Sequence, residues 1–502
     1  MSLFRPPMMR SAANSILDRS LFSRVFAAAA ARVLDSKDIS RYRNELSKTR
    51  EILKLDRFPN IRPDPDPEVA AQGGKCVVLN PQVKPEVKGK ERNEMKRVKR
   101  LKETTDPTTW SPVLAEAVNA NKLKVLSYDV KLDYDYWSYS TYSIYKNSQS
   151  FFGNERLSYL KLVDIMTSIL PEDAQGEIPV GFAIVGHIAH LNLRDEYLSY
   201  KNLIAEVLVD KNPQIRTVIN KIQDVGEESE FRTFKYEVLA GLDDMKVELS
   251  EGGCNFKFDY SKVYWNSRLQ TEHKRLIDAF NPGELVVDVM AGIGPFALPA
   301  GKKKVFVWAN DLNPECYKCL AEGIVRNKVN HFVRPFNKDG REFIQHSVYE
   351  LTQLASKNKN FVSLPQRQRS RHGPVSTMQI IPLPTVPSHF VMNLPAIAIE
   401  FCDSFSGLYS GQDQLFDPYT TNILPMVHVH CFSTKSKDDV KESFEICNRL
   451  SEVMKTVLRP RFEAGDLQEG EVRVWNVRDV APKKRMFCAE FRIPREVAFR
   501  VS

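Results

Sequence analysis

From Glu284 onward, short apolar runs alternate with segments whose apolar residues recur every three or four positions. Runs of the first kind fit buried strands and segments of the second kind fit amphipathic helices. Strands are predicted at Leu285–Val289, Val305–Ala309, Phe332–Phe336, His389–Met392 and Met426–Phe432. Helices are predicted to begin at Pro295–Ala300 and to span Pro314–Arg326, Glu342–Leu354, Ala396–Phe405 and Asp438–Leu458. Strict alternation of strand and helix predicts a doubly wound α/β fold with a mixed, mostly parallel sheet. Val472–Val480 and Met486–Ile493 read as an antiparallel pair that closes it. One connection, Lys357–Pro387, is polar, basic and longer than such links usually are, which predicts a disordered insertion over 357–387.

Before Glu284 the pattern is different. Lys122–Tyr145 alternates apolar and polar residues and is dense in Tyr, as in the strands of a small N-terminal module. Gly153–Leu170 reads as a helix, and the turn-rich Leu170–Gly176 as a break. A buried strand at Pro179–Gly186, a helix at Tyr197–Val209 and strands at Thr217–Ile222, Lys235–Gly241, Met245–Leu249 and Cys254–Asp259 suggest a compact α+β unit. Residues 60–103 are rich in Pro, Lys and Glu, including Arg62-Pro-Asp-Pro-Asp-Pro67, and predict a flexible basic linker or loop. The expected division is therefore 1–150, 151–265 and 266–502.

Composition narrows the class. At 502 residues the chain exceeds one core, and 42% hydrophobic with 27% charged residues is ordinary for a soluble globular protein. No run of about 18 uncharged apolar residues is present, so no membrane span is expected. Eight cysteines lack a disulfide spacing, and Cys316 and Cys319 fit ordinary helix positions better than a metal or redox pair. His187 and His190 have the wrong spacing for a helix-borne zinc site and suit structural roles. The net charge of +8 is modest for this length, yet residues 88–102 hold eight Lys or Arg against two Glu. Smaller basic groups at Lys302–Lys304, Arg367–Arg371 and Lys483–Arg485 add to a leaning toward nucleic acid. The first 35 residues carry Arg5, Arg10, Arg19, Arg24 and Arg32, with an Ala-rich run from Ala27 to Ala31. Two readings stand there: a basic helix of the mitochondrial presequence kind, or an ordinary first helix of the domain.

The richest chemistry follows the first strand of the C-terminal half. Gly292-Ile-Gly294-Pro-Phe296-Ala297 fits the glycine turn of a nucleotide-binding fold, and Asp311 stands where a ribose-binding acid is expected. Those glycines fit a dinucleotide as well. Asp288 separates the two, since a carboxylate at that strand tip repels a pyrophosphate but suits the ammonium and sulfonium of S-adenosylmethionine. At the neighbouring strand ends, Asp311 can accept from ribose hydroxyls, Leu312 can pack on adenine and Asp339 can accept from the adenine amine. The competing reading makes Asp311 and Asp339 helix caps. Asn393-Leu394-Pro395, after the fourth strand, is the kind of sequence that presents polar groups to a planar nitrogen target.

Glu237-Val-Leu-Ala-Gly241, the run Phe258 to Arg275, Asp288 to Phe296, Asp311-Leu-Asn-Pro314 and Asn393-Leu-Pro395 occur in the order found in a known family. The chain resembles the archaeal and eukaryotic tRNA guanine-N1 methyltransferases that act at position 37. One departure is Asn266-Ser267-Arg268, where relatives carry Pro before Arg. The resemblance implies a class I (Rossmann-like) methyltransferase domain preceded by a middle α+β domain and an N-terminal module that checks the tRNA body. It implies Glu272 as general base, Arg232 and Asn393 on the target guanine, and His273, Asp288, Gly292, Gly294, Asp311, Leu312, Asp339, Gly340, Asn393 and Pro395 around S-adenosylmethionine. Guanine N1 carries a proton at neutral pH, so a base must remove it as the methyl arrives, and partial burial is expected to raise Glu272 toward that task. No metal is expected. The resemblance implies tRNA with G37 as the partner, engaged by a monomer, and the expected location is cytoplasm and nucleus with a mitochondrial matrix pool from the basic N-terminus. Two rivals are an aminocarboxypropyl transferase of the wyosine pathway and a non-catalytic RNA-binding relative. Glu272 beside a complete cofactor edge favours methyl transfer.

Overall fold

A computed structural model describes the chain apart from residues 1–5, 10–15, 56–57, 83–109, 138–164, 173–181, 223–230, 232, 371–372, 417, 434–435, 437, 482–483 and 502, and the side chains of 365–377 and 481. It divides into two compact units, Met1–Phe182 with Leu193–Gln214, and Ala183–Asn192 with Ile215–Ser502. The stretch expected as a middle domain, 151–265, is shared between them.

The first unit holds β1 (Arg24–Val33), α1 (Ile39–Lys48), β2 (Ile61–Pro63), α2 (Pro67–Ala71), β3 (Lys75–Leu79), α3 (Pro112–Asn119) and β4 (Leu123–Leu132). Its sheet runs β2-β3-β1-β4, all antiparallel. Both helical readings of the Ala-rich run fail over Arg24–Val33, because Ala29, Ala30 and Ala31 lie fully buried in a central strand. The small side chains of Ala29 and Ala31 let Tyr42 and Leu46 of α1 and Leu114 and Ala117 of α3 close over one face of the sheet. Ten residue pairs with β4 outweigh the helix propensity of Ala.

Of the linker or loop expected over 60–103, residues 60–80 are also packed. Pro63 ends an edge strand, where a missing N–H is tolerated, and Pro67 opens α2 behind its N-cap Asp66. Arg32 makes a two-pronged ion pair with the buried Asp64 at 2.5 and 2.6 Å. The basic run 88–102 lies outside the described residues. α4 (Ile165–Ile169), α5 (Asp195–Leu198) and α6 (Lys201–Lys211) complete this unit.

The second unit begins with a four-stranded sheet of β5 (Ala183–Val185), β6 (Ile188–Leu191), β7 (Thr217–Lys221) and β8 (Tyr236–Gly241). Of the buried strand expected at 179–186, residues 179–181 lie outside the described residues, and the remainder holds the short edge strand β5 with Ile184 exposed. A hairpin of β9 (Lys246–Glu251) and β10 (Cys254–Asp259) follows, then α7 (Gln270–Ala279). The large sheet is built from β11 (Leu285–Asp288), α8 (Ala297–Lys302), β12 (Phe306–Asn310), α9 (Pro314–Arg326), β13 (Val333–Phe336) and α10 (Gly340–Ser356). After a hairpin of β14 (Phe361–Ser370) and β15 (Gly373–Pro382) come β16 (His389–Met392), β17 (Met426–Ser433), α11 (Asp439–Met454), β18 (Arg459–Pro460), β19 (Glu471–Ala481) and β20 (Lys484–Arg492).

The strand order is β13-β12-β11-β16-β17-β20-β19-β18. Seven of the eight strands run in one direction, and β20 inserts antiparallel between β17 and β19. Apolar clusters cover both faces, as a doubly wound sheet requires. The expected disordered insertion is instead the β14–β15 hairpin, paired from Phe361↔Pro382 to Ser370↔Gly373 and anchored by Val362 and Ile381 on the sheet core. Ala398–Phe405 is a 3₁₀ rather than an α-helix.

Candidate active site

The carboxyl ends of β11, β12 and β13 are tied together by one buried side chain. Asn310 donates to the carbonyls of Val289 and Lys338, each at 3.0 Å, and accepts from the Lys338 N–H at 2.9 Å. The loop after β11 turns at Gly292 (φ +57°) and Gly294 (φ +89°). Gly294 is required twice, by its left-handed backbone and by Leu320 Cδ1, which a Cβ would meet at 2.7 Å. A Cβ on Gly292 would meet nothing within 4 Å, so open space lies above that turn.

Asp288 ends β11 wholly buried, and neither carboxylate oxygen has a hydrogen-bond partner. Burial, and then the negative charge of Asp311, push its pKa well above the ordinary carboxylate value. An orphaned buried acid beside an open glycine turn fits the ammonium of S-adenosylmethionine. Asp311 accepts from the Gly292 N–H at 2.8 Å and the Asn313 N–H at 2.9 Å, so it braces the turn and does not cap α9. The cap of α9 is Asn313. Asp339 does cap α10, accepting from the N–H groups of Arg341 and Glu342, so the capping reading holds for it. Gly340 opens α10 where a Cβ would meet Phe401 at 2.9 Å. Leu312 presents an exposed side chain at this edge, 44% accessible.

Glu272 and His273 lie on the buried face of α7. His273 Nδ1 pairs with Glu251 at 2.5 Å, and its ring meets Phe296 of the glycine loop edge-on at 4.8 Å. Glu272 is held by Arg275, with Nε to Oε2 at 2.8 Å and Nη2 to Oε1 at 2.9 Å, and by His430 Nε2 at 2.8 Å from Oε1. This corrects the expectation of a raised acid. Burial does push Glu272 up, but the Arg275 and His430 contacts outweigh it and hold the carboxyl down at about 2. His430 Nδ1 faces the carbonyl of Met392 at 3.4 Å, the residue that ends β16 just before Asn393. Asn393 is half-buried, Pro395 is buried, and Arg232 lies outside the described residues.

Glu272, His430 and Cys488 gather oxygen, nitrogen and sulfur donors within 4.8 Å of one another. The Arg275 guanidinium already covers both Glu272 oxygens, so the cation of this cluster is supplied by the chain itself. Arg275, His430 and Cys488 escaped the sequence reading. The available signal was polar residues at alternate positions of the fifth parallel strand, His428 and His430, between the fully buried Val427, Val429 and Cys431.

Comparison with known proteins gives this geometry a family. The protein named tRNA (guanine(37)-N(1))-methyltransferase in Fusarium vanettenii is 51% identical over 99% of this chain and 97% of its own length. The protein of that name in Neurospora crassa is 47% identical over 99% and 95%. The chain belongs to the tRNA (guanine(37)-N(1))-methyltransferase family. Within it, a family model for the TRM5/TYW2 methyltransferase domain matches residues 247–366, and one for the TYW2 N-terminal domain matches 162–244. In fold it is similar to the crystal structure of Trm5b from Pyrococcus abyssi, 20% identical with TM-score 0.50, covering 93% of this chain and 99% of that one. The complex structure of aTrm5 and tRNALeu is 18% identical with TM-score 0.50, covering 92% and 99%.

The other residues singled out have structural roles. His187 Nε2 bonds the Asp244 carbonyl and His190 Nδ1 bonds Tyr260, each at 2.9 Å. Cys316 is buried against Asp311. Of the basic groups, Lys302 donates to the Gly253 carbonyl, and Lys303 caps the end of α7 through the carbonyls of Ile277 and Asp278, each at 3.0 Å.

Proposed function

We infer that this chain transfers the methyl group of S-adenosylmethionine to N1 of guanine 37 in tRNA, next to the anticodon. The observation that carries this is full-length similarity to proteins named for that reaction, in a chain whose glycine loop encloses a buried, unmatched Asp288. S-adenosylmethionine, when bound, supplies an electrophilic methyl group on a sulfonium that leaves without further activation.

The chain's residues do the rest. Asp288 meets the cationic end of the cofactor, Gly292 and Gly294 allow close approach of the turn, Leu312 packs on adenine, and Asp311, Asp339 and Gly340 line the nucleoside side. His273 steadies the loop through Phe296. Glu272 removes the N1 proton while Arg275 and His430 fix the plane of its carboxylate. Removing that proton moves negative charge onto O6, where Arg232 and the Asn393 amide, set by Pro395, are proposed as donors. Alignment of base, N1 and methyl is the main contribution left to the protein. We also propose that the N-terminal unit reads the tRNA body and that the enzyme acts as a monomer in cytoplasm and nucleus with a mitochondrial pool. Among the described residues no helix is long and apolar enough to cross a membrane.

The test is incubation with labelled S-adenosylmethionine and unmodified tRNA, with the label located by nuclease digestion and mass spectrometry. Label at guanine N1 is expected, and label elsewhere or an aminocarboxypropyl adduct overturns the reading. Glu272→Gln should keep cofactor affinity and lower single-turnover methyl transfer by roughly 10²-fold or more. Wild-type chemistry in that variant would sink the assignment of the base.

A further inference from the structure

The base as held in this structure is too weak for its task, because a carboxylate bound by Arg275 and His430 does not readily keep a proton taken from guanine N1. What lies behind Arg275 bears on this. Its third nitrogen, Nη1, donates to Glu490 Oε1 at 2.7 Å, so Glu272 and Glu490 share one guanidinium. Glu490 also accepts from Trp475 Nε1 at 2.7 Å, and Trp475 stacks under Arg275 at 4.9 Å. From Glu490 a line of contacts runs outward: His428 Nδ1 at 3.0 Å, His428 Nε2 to His389 Nδ1 at 3.0 Å, and His389 Nε2 to Glu284 Oε2 at 3.3 Å. Glu284 is partly open to solvent.

Counting protons along this line is decisive. Each of the three contacts needs one proton, and the two end contacts must take theirs from the imidazoles because both carboxylates are acceptors only. Burial raises both acids, but His428 and Arg275 hold Glu490 low, and His389 with Asn281 holds Glu284 at about 2. Two neutral imidazoles carry two protons. The third makes the His428–His389 pair a single shared cation between two carboxylates, and because burial lowers the His428 pKa against the pull of Glu490, this proton is readily given up.

We propose that Glu490 is a positioning residue for Glu272, acting through Arg275, and that the proton shared by His428 and His389 sets how strongly Glu490 competes for that guanidinium. With the proton in place Glu490 is neutralised, Arg275 settles on Glu272, and the base is weak. When the pair gives its proton to solvent through Glu284, Glu490 draws Arg275 away and Glu272 gains basicity. The charged and titratable groups around the pair are Glu490 and Cys488 on β20, Arg275 and Glu272 on α7, His430 on β17 and Glu284 ahead of β11. Phe280 closes the remaining side against both rings.

The inference rests on Glu272 as base, and its test is the single-turnover methyl-transfer rate of full-length enzyme on G37 tRNA across pH 5 to 8. The wild-type rate should rise through an inflection that belongs to the histidine pair. Glu490→Gln should flatten the profile at the low level, about tenfold below wild type at its upper plateau, with unchanged cofactor affinity. His428→Gln should flatten it near the high level. Opposite plateaus are not what a merely structural role produces, and a parallel loss in both variants overturns the proposal. Glu284→Gln, at the partly exposed end, should fold normally and move the inflection to lower pH while leaving both plateaus in place. An unmoved inflection there refutes the proposal even if the buried variants fail to fold. If Glu272→Gln retains activity, the reading of the base has failed. If it is inactive while Glu284→Gln and Glu490→Gln match wild type, only this inference has failed.

Discussion

Asp288→Asn should change stability and cofactor binding in opposite directions. Asp288 is fully buried without a partner, and burial with the nearby Asp311 raises its pKa well above the ordinary value. The folded chain therefore keeps a proton that the unfolded chain releases above about pH 4. Because the folded state binds more protons, stability falls as pH rises from there until the folded pKa is passed, by up to about 1.4 kcal/mol per pH unit. Asn cannot ionise, so the variant lacks this slope. Its stability relative to wild type should improve by about 1–3 kcal/mol between pH 5 and pH 7. The same change removes the anion that meets the cofactor's cation, a charged hydrogen bond of about 1.5–3 kcal/mol, so affinity should fall about tenfold or more. Wild-type affinity should also strengthen as pH rises and the carboxyl ionises, while the variant's stays level. Urea unfolding at pH 5, 6 and 7 with calorimetric titration of S-adenosylmethionine reads both effects. Parallel stability slopes, or an affinity that Asn leaves intact, would refute the reasoning.

Two other substitutions test the framework. Gly294→Ala combines a left-handed backbone with a Cβ placed 2.7 Å from Leu320 Cδ1, and should cost about 1–3 kcal/mol in thermal or urea unfolding while weakening cofactor binding. Unchanged stability and affinity would contradict the geometry of the turn. Asp64→Ala strips the buried partner of Arg32 and should destabilise the N-terminal unit by about 2–4 kcal/mol at pH 7. Burial raises Asp64, but the Arg32 hydrogen bonds hold its pKa below the ordinary value. The ion pair's contribution is therefore present above about pH 4 and fades as pH falls through the depressed value. An Asp64→Ala deficit that stays constant from pH 7 to pH 2 would show that the pair is not its source.

What was legible in the chain was local. The inner strands β11, β12 and β16 stand out because each is a short apolar run buried on both faces, and α9 begins where Asn313-Pro314 supplies a cap and a first-turn proline. Asp288 with Gly292 and Gly294 marked the cofactor loop because a tight turn and a strand-tip acid are properties of adjacent residues. Misreadings came where composition imitated another state. Ala27–Ala31 resembles a helix, the prolines of 62–67 resemble a linker, and the polar 357–387 resembles disorder, yet each holds strand pairing.

The sequence by itself determined the class of fold and the cofactor turn, since both depend on periodicity and on neighbours in the chain, and its resemblance to a known family pointed to the candidate base. Only the tertiary structure decided how strong that base is. His430 stands 158 residues from Glu272 and Glu490 stands 215 from Arg275. They meet because β20 inserts beside β17 and sets His428 opposite Glu490 and His430 opposite Cys488. The charge state of Glu272 is fixed by burial and by partners that no local pattern can place, so the residue was legible in the chain and its pKa was not.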